Sequence, residues 1–147
     1  MSKLVLIIIV LVLGGGWWIV NRSKGLDNNW KRMEIGKAVV KVKVRDTMEG
    51  RNKGLSGVEK LEENEGMLFV FPVTVKYSFW MKEMKFDLDV LWIKDDKVVE
   101  ITEGVKAPKN GESPVRFKSE VMVNKVLEVN SGFVKKNGIK AGDGVEY

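Results

Sequence analysis

Three apolar stretches in the middle of the chain constrain its fold more than any other feature. Met67-Leu68-Phe69-Val70-Phe71 is uninterrupted and closes at Pro72. Phe79-Trp80-Met81 follows, and Leu88-Asp89-Val90-Leu91-Trp92-Ile93 is apolar on both faces except at Asp89. Runs this short, bounded by turn residues and rich in aromatic and branched side chains, predict buried strands rather than helices. A chain that carries several of them must bury both faces of a sheet.

The rest of the chain extends this pattern. Val40, Val42 and Val44 alternate with Lys41, Lys43 and Arg45, which predicts a strand with one buried face. Val73, Val75 and Tyr77 alternate likewise, Asp95-Asp96 turns the chain into Val98-Val99-Glu100-Ile101, and Val121 to Val129 is the last long strand region. Ala107 to Pro114 holds two prolines and a glycine and reads as a loop. Two short helices interrupt the strands. Thr47 or Asp46 caps Met48 to Lys53, which stops at Gly54, and Ser131 is placed to cap Phe133 to Asn137, which stops at Gly138. The expected class is mainly β: a sandwich or barrel with one or two short helices.

Composition excludes much chemistry. The 147 residues contain neither cysteine nor histidine. No thiol nucleophile, Ser-His-Asp triad or His/Cys-ligated zinc site can be built from them. No cofactor is implied. The net charge of +5 suggests an anionic partner until its distribution is considered. Lys3, Arg22 and Lys24 precede every acidic residue; from Asp27 onward 22 basic residues face 20 acidic ones, a net of +2. Nucleic-acid binding draws on concentrated positive charge, so a nucleic-acid partner is not expected.

The first 20 residues form a separate unit. No charge occurs from Leu4 to Val20, a stretch that as a helix would span about 25 Å, the short end for a membrane crossing. Trp17 and Trp18 stand where aromatic residues meet headgroups, and Arg22 and Lys24 follow. The expected organisation is a transmembrane anchor or signal sequence over 1–20, a linker over 21–33 and one β-rich domain over 34–147. A cleaved signal peptide ending near Gly14-Gly15-Gly16 is the rival reading. The partner expected of Leu4 to Val20 is the membrane, crossed once. The excess of Lys and Arg after the segment, counted literally, favours a cytoplasmic domain. The short positive start resembles an export signal and favours an extracytoplasmic one, the reading adopted here.

Three groups of residues resemble a known family. Thr47-x-x-x-Arg51-x-x-Gly54-Leu55 is the first. Gly66 to Phe71 with Phe79-Trp80-Met81-Lys82 and Leu88-Asp89-Val90 is the second. Val126-Leu127-Glu128-Val129-Asn130-x-Gly132 with Gly138-Ile139-Lys140-x-Gly142-Asp143 is the third. In this order they resemble the domain of unknown function 192 family across nearly all of the chain after Gly36. The resemblance implies a β-sandwich or jelly-roll-like fold, often exported or membrane-attached, and no reaction. The chain departs from the family pattern at Glu83-Met84, Asp87 and Ser56, which adds carboxylates beside the central signature.

Charges set inside apolar signatures are the candidate site residues: Lys82, Asp89 and Glu128, with Trp80 beside them. A lone buried carboxylate costs several kcal/mol. Asp89 therefore needs a partner, and Lys82 is the expected one, either as an ion pair that sets strand register or as the floor of a polar site. Asp87, Asp89 and Glu128 could also supply two carboxylates for acid/base hydrolysis. Phe79, Trp80 and Trp92 would serve as a stacking platform if they were not core residues. The functional expectation is a membrane-tethered, non-enzymatic module that binds a small molecule or a partner protein through Trp80, Lys82, Asp89 and Glu128. The alternatives are a carboxylate hydrolase acting on envelope glycans and an assembly factor for a membrane complex.

Overall fold

The computed structural model describes residues 29–147. The expected anchor lies outside them; among the described residues no helix is long and apolar enough to cross a membrane. The chain runs β1 (Trp30–Ile35), β2 (Ala38–Arg45), α1 (Met48–Lys53), β3 (Glu65–Val75), β4 (Ser78–Trp80), β5 (Leu88–Lys94), β6 (Lys97–Val105), β7 (Arg116–Lys118), β8 (Val123–Asn130), α2 (Phe133–Asn137) and β9 (Val145–Glu146). Strand β1 begins inside the stretch expected to be linker. Met33 and Ile35 are fully buried there.

Seven strands form one sheet in the order β6-β5-β8-β3-β2-β1-β9. Every neighbouring pair is antiparallel except β2 and β3. A parallel pair requires a long crossover, and the chain between Arg45 and Glu65, which includes α1, supplies it. The sheet curls into a half-barrel. Its two edges meet where Lys97 bridges Gly144, Gly142 N donates to Val98 O at 2.7 Å and Val145 N donates to Asp96 O at 2.7 Å. The mainly-β expectation with two short helices holds, and the sheet is a curled half-barrel. A two-sheet sandwich is not formed, because the second sheet is only the three-residue strands β4 and β7.

Alternation along the strands fills two cores, one on each side of the sheet. Val40, Val42, Leu68, Leu91, Ile93, Leu127 and Val129 point into the first, which α2 closes with Phe133 and Val134. Met67, Phe69, Leu88, Val90, Trp92 and Val126 point into the second. The β4–β7 ribbon covers that outer face. Phe79 sets its ring edge-on against Phe69 at 5.2 Å and Trp92 at 5.7 Å, and Phe71 stacks on Tyr77 at 3.7 Å. Central strands apolar on both faces are thus explained: each face has its own cover.

Candidate functional site

Among the described residues, the outer core is open at more than one place. Between α1 and the β4 ribbon lies a cleft whose inner chamber has a volume of about 40 Å³. One wall is α1 with the turn after it, Arg51 to Ser56; the other is Phe79 to Lys82 with Met84; Phe69, Leu88 and Glu128 form the floor. Arg51, Asn52, Phe69, Phe79 and Trp80 also line an outer recess of about 360 Å³ that reaches Phe71, Tyr77 and Ser78.

Local sequence builds each wall. Thr47 caps α1 by accepting from Gly50 N at 3.1 Å, and Gly54 ends it with φ of 49°. Arg51 is held by donating to Val70 O at 3.0 Å and to Asp46 O, and its guanidinium lies 5.3 Å from the Phe71 ring centre. Opposite, the turn after β4 is fastened to the turn after α1: Ser56 Oγ donates to Lys82 O at 2.9 Å, and Gly57 N donates to Glu83 O at 3.2 Å. Glu83 takes a left-handed φ of 57° in this turn.

Glu128 lies at the bottom. On β8 it follows Leu127, which faces the inner core, so alternation turns it outward, between Met67 of β3 and Val90 of β5. Only 5% of it is exposed, and no side-chain hydrogen bond or ion pair to it is formed among the described residues. Burial away from water pushes its carboxyl up to about 8, from an ordinary 4.5. At neutral pH this floor is therefore mainly a neutral acid able to donate one hydrogen bond.

Trp80 and Lys82 stand above it. Trp80 is 46% exposed, with Lys82 Nζ 5.3 Å and the Arg116 guanidinium 5.1 Å from its ring centre. Of the three aromatics considered for a platform, Trp92 is fully buried and donates Nε1–H to Thr102 Oγ1 at 2.9 Å, and Phe79 is core; only Trp80 is presented.

Asp89 lies elsewhere, and the expected Lys82–Asp89 pair is not formed. Lys82 Nζ is 3.9 Å from Glu83 Oε1, with nearly half of its side chain in solvent. Asp89 pairs in register with Val129, whose side chain fills the inner core, so Asp89 and Glu128 are on opposite faces of the sheet. Its partners are main-chain amides. Oδ1 accepts from Gly104 N at 2.9 Å; Oδ2 accepts from Gly132 N at 2.9 Å and Val134 N at 3.1 Å. The last two are amides at the start of α2, which has no capping side chain of its own, so Asp89 does what Ser131 was expected to do. Asp87 is likewise engaged, by Lys106 at 2.6 Å and Ala107 N at 2.9 Å, and these two contacts hold its carboxyl below the ordinary range. The hydrolase reading needs two carboxylates facing one space, and the sheet keeps Asp89 and Glu128 apart.

Of the four residues expected to bind a ligand, Trp80, Lys82 and Glu128 line one cleft and Asp89 does not; its partners are main-chain amides rather than Lys82. Sequence reasoning missed the α1 wall as part of the site. Arg51 and Gly54 belong to the first family-like motif, a signal that could have pointed there.

The fold and cleft define a class: a half-barrel β-domain with a ribbon-covered outer face and a narrow, partly polar cleft at its margin. Residues 31–147 match the domain of unknown function 192, described as Uncharacterized ACR, and the chain belongs to this family. Two solved structures are similar. One is a "putative transcription regulator" from Sinorhizobium meliloti 1021: TM-score 0.70, 30% identity, 80% of this chain and 92% of that one covered. The other is a protein of unknown function from Novosphingobium aromaticivorans DSM 12444: TM-score 0.70, 27% identity, 80% and 85% covered. No curated protein matches the chain.

Proposed function

We propose that the chain is a membrane-tethered, non-enzymatic binding module whose site is the cleft between α1 and the β4 ribbon. The observation that carries this reading is Glu128. Its carboxyl, 5% exposed as a residue, has no protein hydrogen-bond partner among the described residues, so the chamber in front of it is where water or a ligand supplies one. Trp80 and Lys82 at the mouth and the larger recess beside it supply contact area for a small molecule. Leu4 to Val20 tethers the domain to a bilayer, with the domain on the extracytoplasmic side.

The name borne by the S. meliloti protein lends itself less well to this chain. Its helices, among the described residues, are six and five residues long, short for a helix that reads a major groove. A second reading, an assembly factor, is favoured by one observation. Val73, Val75, Val121 and Met122 are exposed where β3 ends beside the start of β8, a small apolar area for a partner protein.

Native mass spectrometry of the full-length chain, gently extracted from its own membranes, separates the two. A small-molecule adduct that disappears in Glu128→Leu supports the binding module. A bound polypeptide, lost on Met122→Lys and retained in Glu128→Leu, supports assembly and counts against the cleft.

A further inference from the structure

We propose that the ligand of the cleft is a small carboxylate with an apolar or aromatic body, its carboxylate turned toward Glu128 in the inner chamber and its body lying in the outer recess. This rests on the cleft being a binding site at all, and adds the chemistry that the site selects.

Size sets the first limit. The inner chamber, about 40 Å³, has room for a group of roughly two or three non-hydrogen atoms, since a single water needs about 10–15 Å³ on the same measure. A carboxylate fits and a ring does not. The outer recess of about 360 Å³ is walled largely by Phe71, Tyr77, Phe79 and Trp80, so the ligand's body is apolar.

Charge sets the second. Among the described residues Glu128 is the only acid lining the chamber, while α1 contributes Arg51 and Lys53 and the turn after β4 contributes Lys82. The strands on either side of Glu128 present Met67, Phe69, Leu88 and Val90, none of them titratable. Glu83, 3.9 Å from Lys82 Nζ, is a carboxylate near these cations, and it lies outside the chamber lining. A cationic ligand would meet this wall with like charge. A carboxylate meets opposite charge at the mouth and, at the floor, a neutral acid.

The floor then supplies the strongest contact. Glu128 donates its proton in an O–H···O⁻ hydrogen bond to the incoming carboxylate, the charge-assisted kind that forms between two carboxyls sharing one proton. No bond to carbon is made or broken. Because burial pushes the carboxyl up to about 8, binding of an ionised ligand is insensitive to pH below that value and weakens above it, when two carboxylates would face each other.

The test uses three probes of one shape, benzoate, benzamide and benzylammonium, titrated calorimetrically into the full-length chain in detergent between pH 6 and 10. The ¹³C resonance of the Glu128 carboxyl is followed in parallel. Benzoate is expected to bind at least tenfold more tightly than benzamide, with benzylammonium weakest. Its affinity should be flat to about pH 8 and fall about tenfold per unit above. Glu128→Gln, which keeps a donor, should bind benzoate with the fall removed, and Lys82→Met should bind it several-fold more weakly. Should Glu128→Gln fail to fold, the wild-type pH profile and Lys82→Met decide. Equal binding of benzoate and benzamide, or tightest binding of benzylammonium, overturns the carboxylate inference and leaves the cleft as a site. No binding of any probe, with the Glu128 resonance unmoved, overturns both.

Discussion

At the scale of single residues, two buried carboxyls in neighbouring strands meet opposite fates. Asp89 is 1% exposed and accepts three amide hydrogen bonds, which compensate its burial. Glu128, 5% exposed, has no such compensation among the described residues. Asp89→Ala would orphan three amides, among them Gly132 N and Val134 N at the start of α2, and is expected to cost about 3–5 kcal/mol in chemical denaturation. Lys82→Met should change stability by no more than about 0.5 kcal/mol, because the carboxylate beside Lys82 is itself exposed. Non-additive costs in the Lys82→Met, Asp89→Ala double variant would show the two to be coupled after all. Glu128 makes a prediction of opposite sign to that of a salt-bridged acid. Its folded value of about 8 lies above its unfolded value of 4.5, so the folded state holds a proton that the unfolded state releases. Stability is therefore highest below about pH 4.5 as far as this group is concerned, and declines through pH 8, by ~1.4 kcal/mol for each unit of separation as an upper bound. Glu128→Gln should remove that decline and leave the variant the more stable protein at pH 8. A parallel decline in both proteins would place the titration elsewhere.

At the scale of elements, the cleft depends on a six-residue helix and on one close approach of strands. Helix α1 buries no residue of its own, so its cap matters more than its packing. Thr47→Ala should lower stability by about 1 kcal/mol and loosen Arg51 against β3, seen as faster amide exchange across Met48 to Lys53. Gly66 stands where β8 presses on β3: an added Cβ would lie 2.8 Å from Glu128 O and 3.0 Å from Val129 Cγ1. Gly66→Ala should cost about 1–3 kcal/mol and shift the strand that carries Glu128. An alanine variant of unchanged stability would mean that β3 and β8 separate easily. Both elements belong to family-like motifs, and their helix, cap and strand character were legible because such signals are local. Thr47 and Gly54 bracket α1 as read, and Phe133 to Asn137 is helical as read. The cap of α2 was not legible. Asp89 is more than forty residues away in sequence, and only the pairing of β5 with β8 brings it there.

At the scale of the whole molecule, a curled sheet with a half-covered outer face forms the domain, and the membrane tether proposed for the N-terminal apolar segment is open to direct test. The full chain is expected to remain with membranes after alkaline carbonate extraction, and residues 30–147 alone to be released. Release of the uncleaved full chain would end the tethered reading. The sequence alone determined the features that short-range chemistry dictates: β-rich strands from period-two and apolar runs, two short helices from their caps and stops, and no thiol or imidazole chemistry from composition. It also determined that Trp80, Lys82, Asp89 and Glu128 were unusual, because polar or large aromatic groups in such runs need a reason. Only the tertiary structure decided on which face of the sheet each one lies. A residue's face is read from alternation within a strand, but which core that face meets depends on how strands distant in sequence are paired and what covers them. That pairing set Asp89 against the amides of α2 in the inner core and turned Glu128, on the adjacent strand, toward a gap in the outer one.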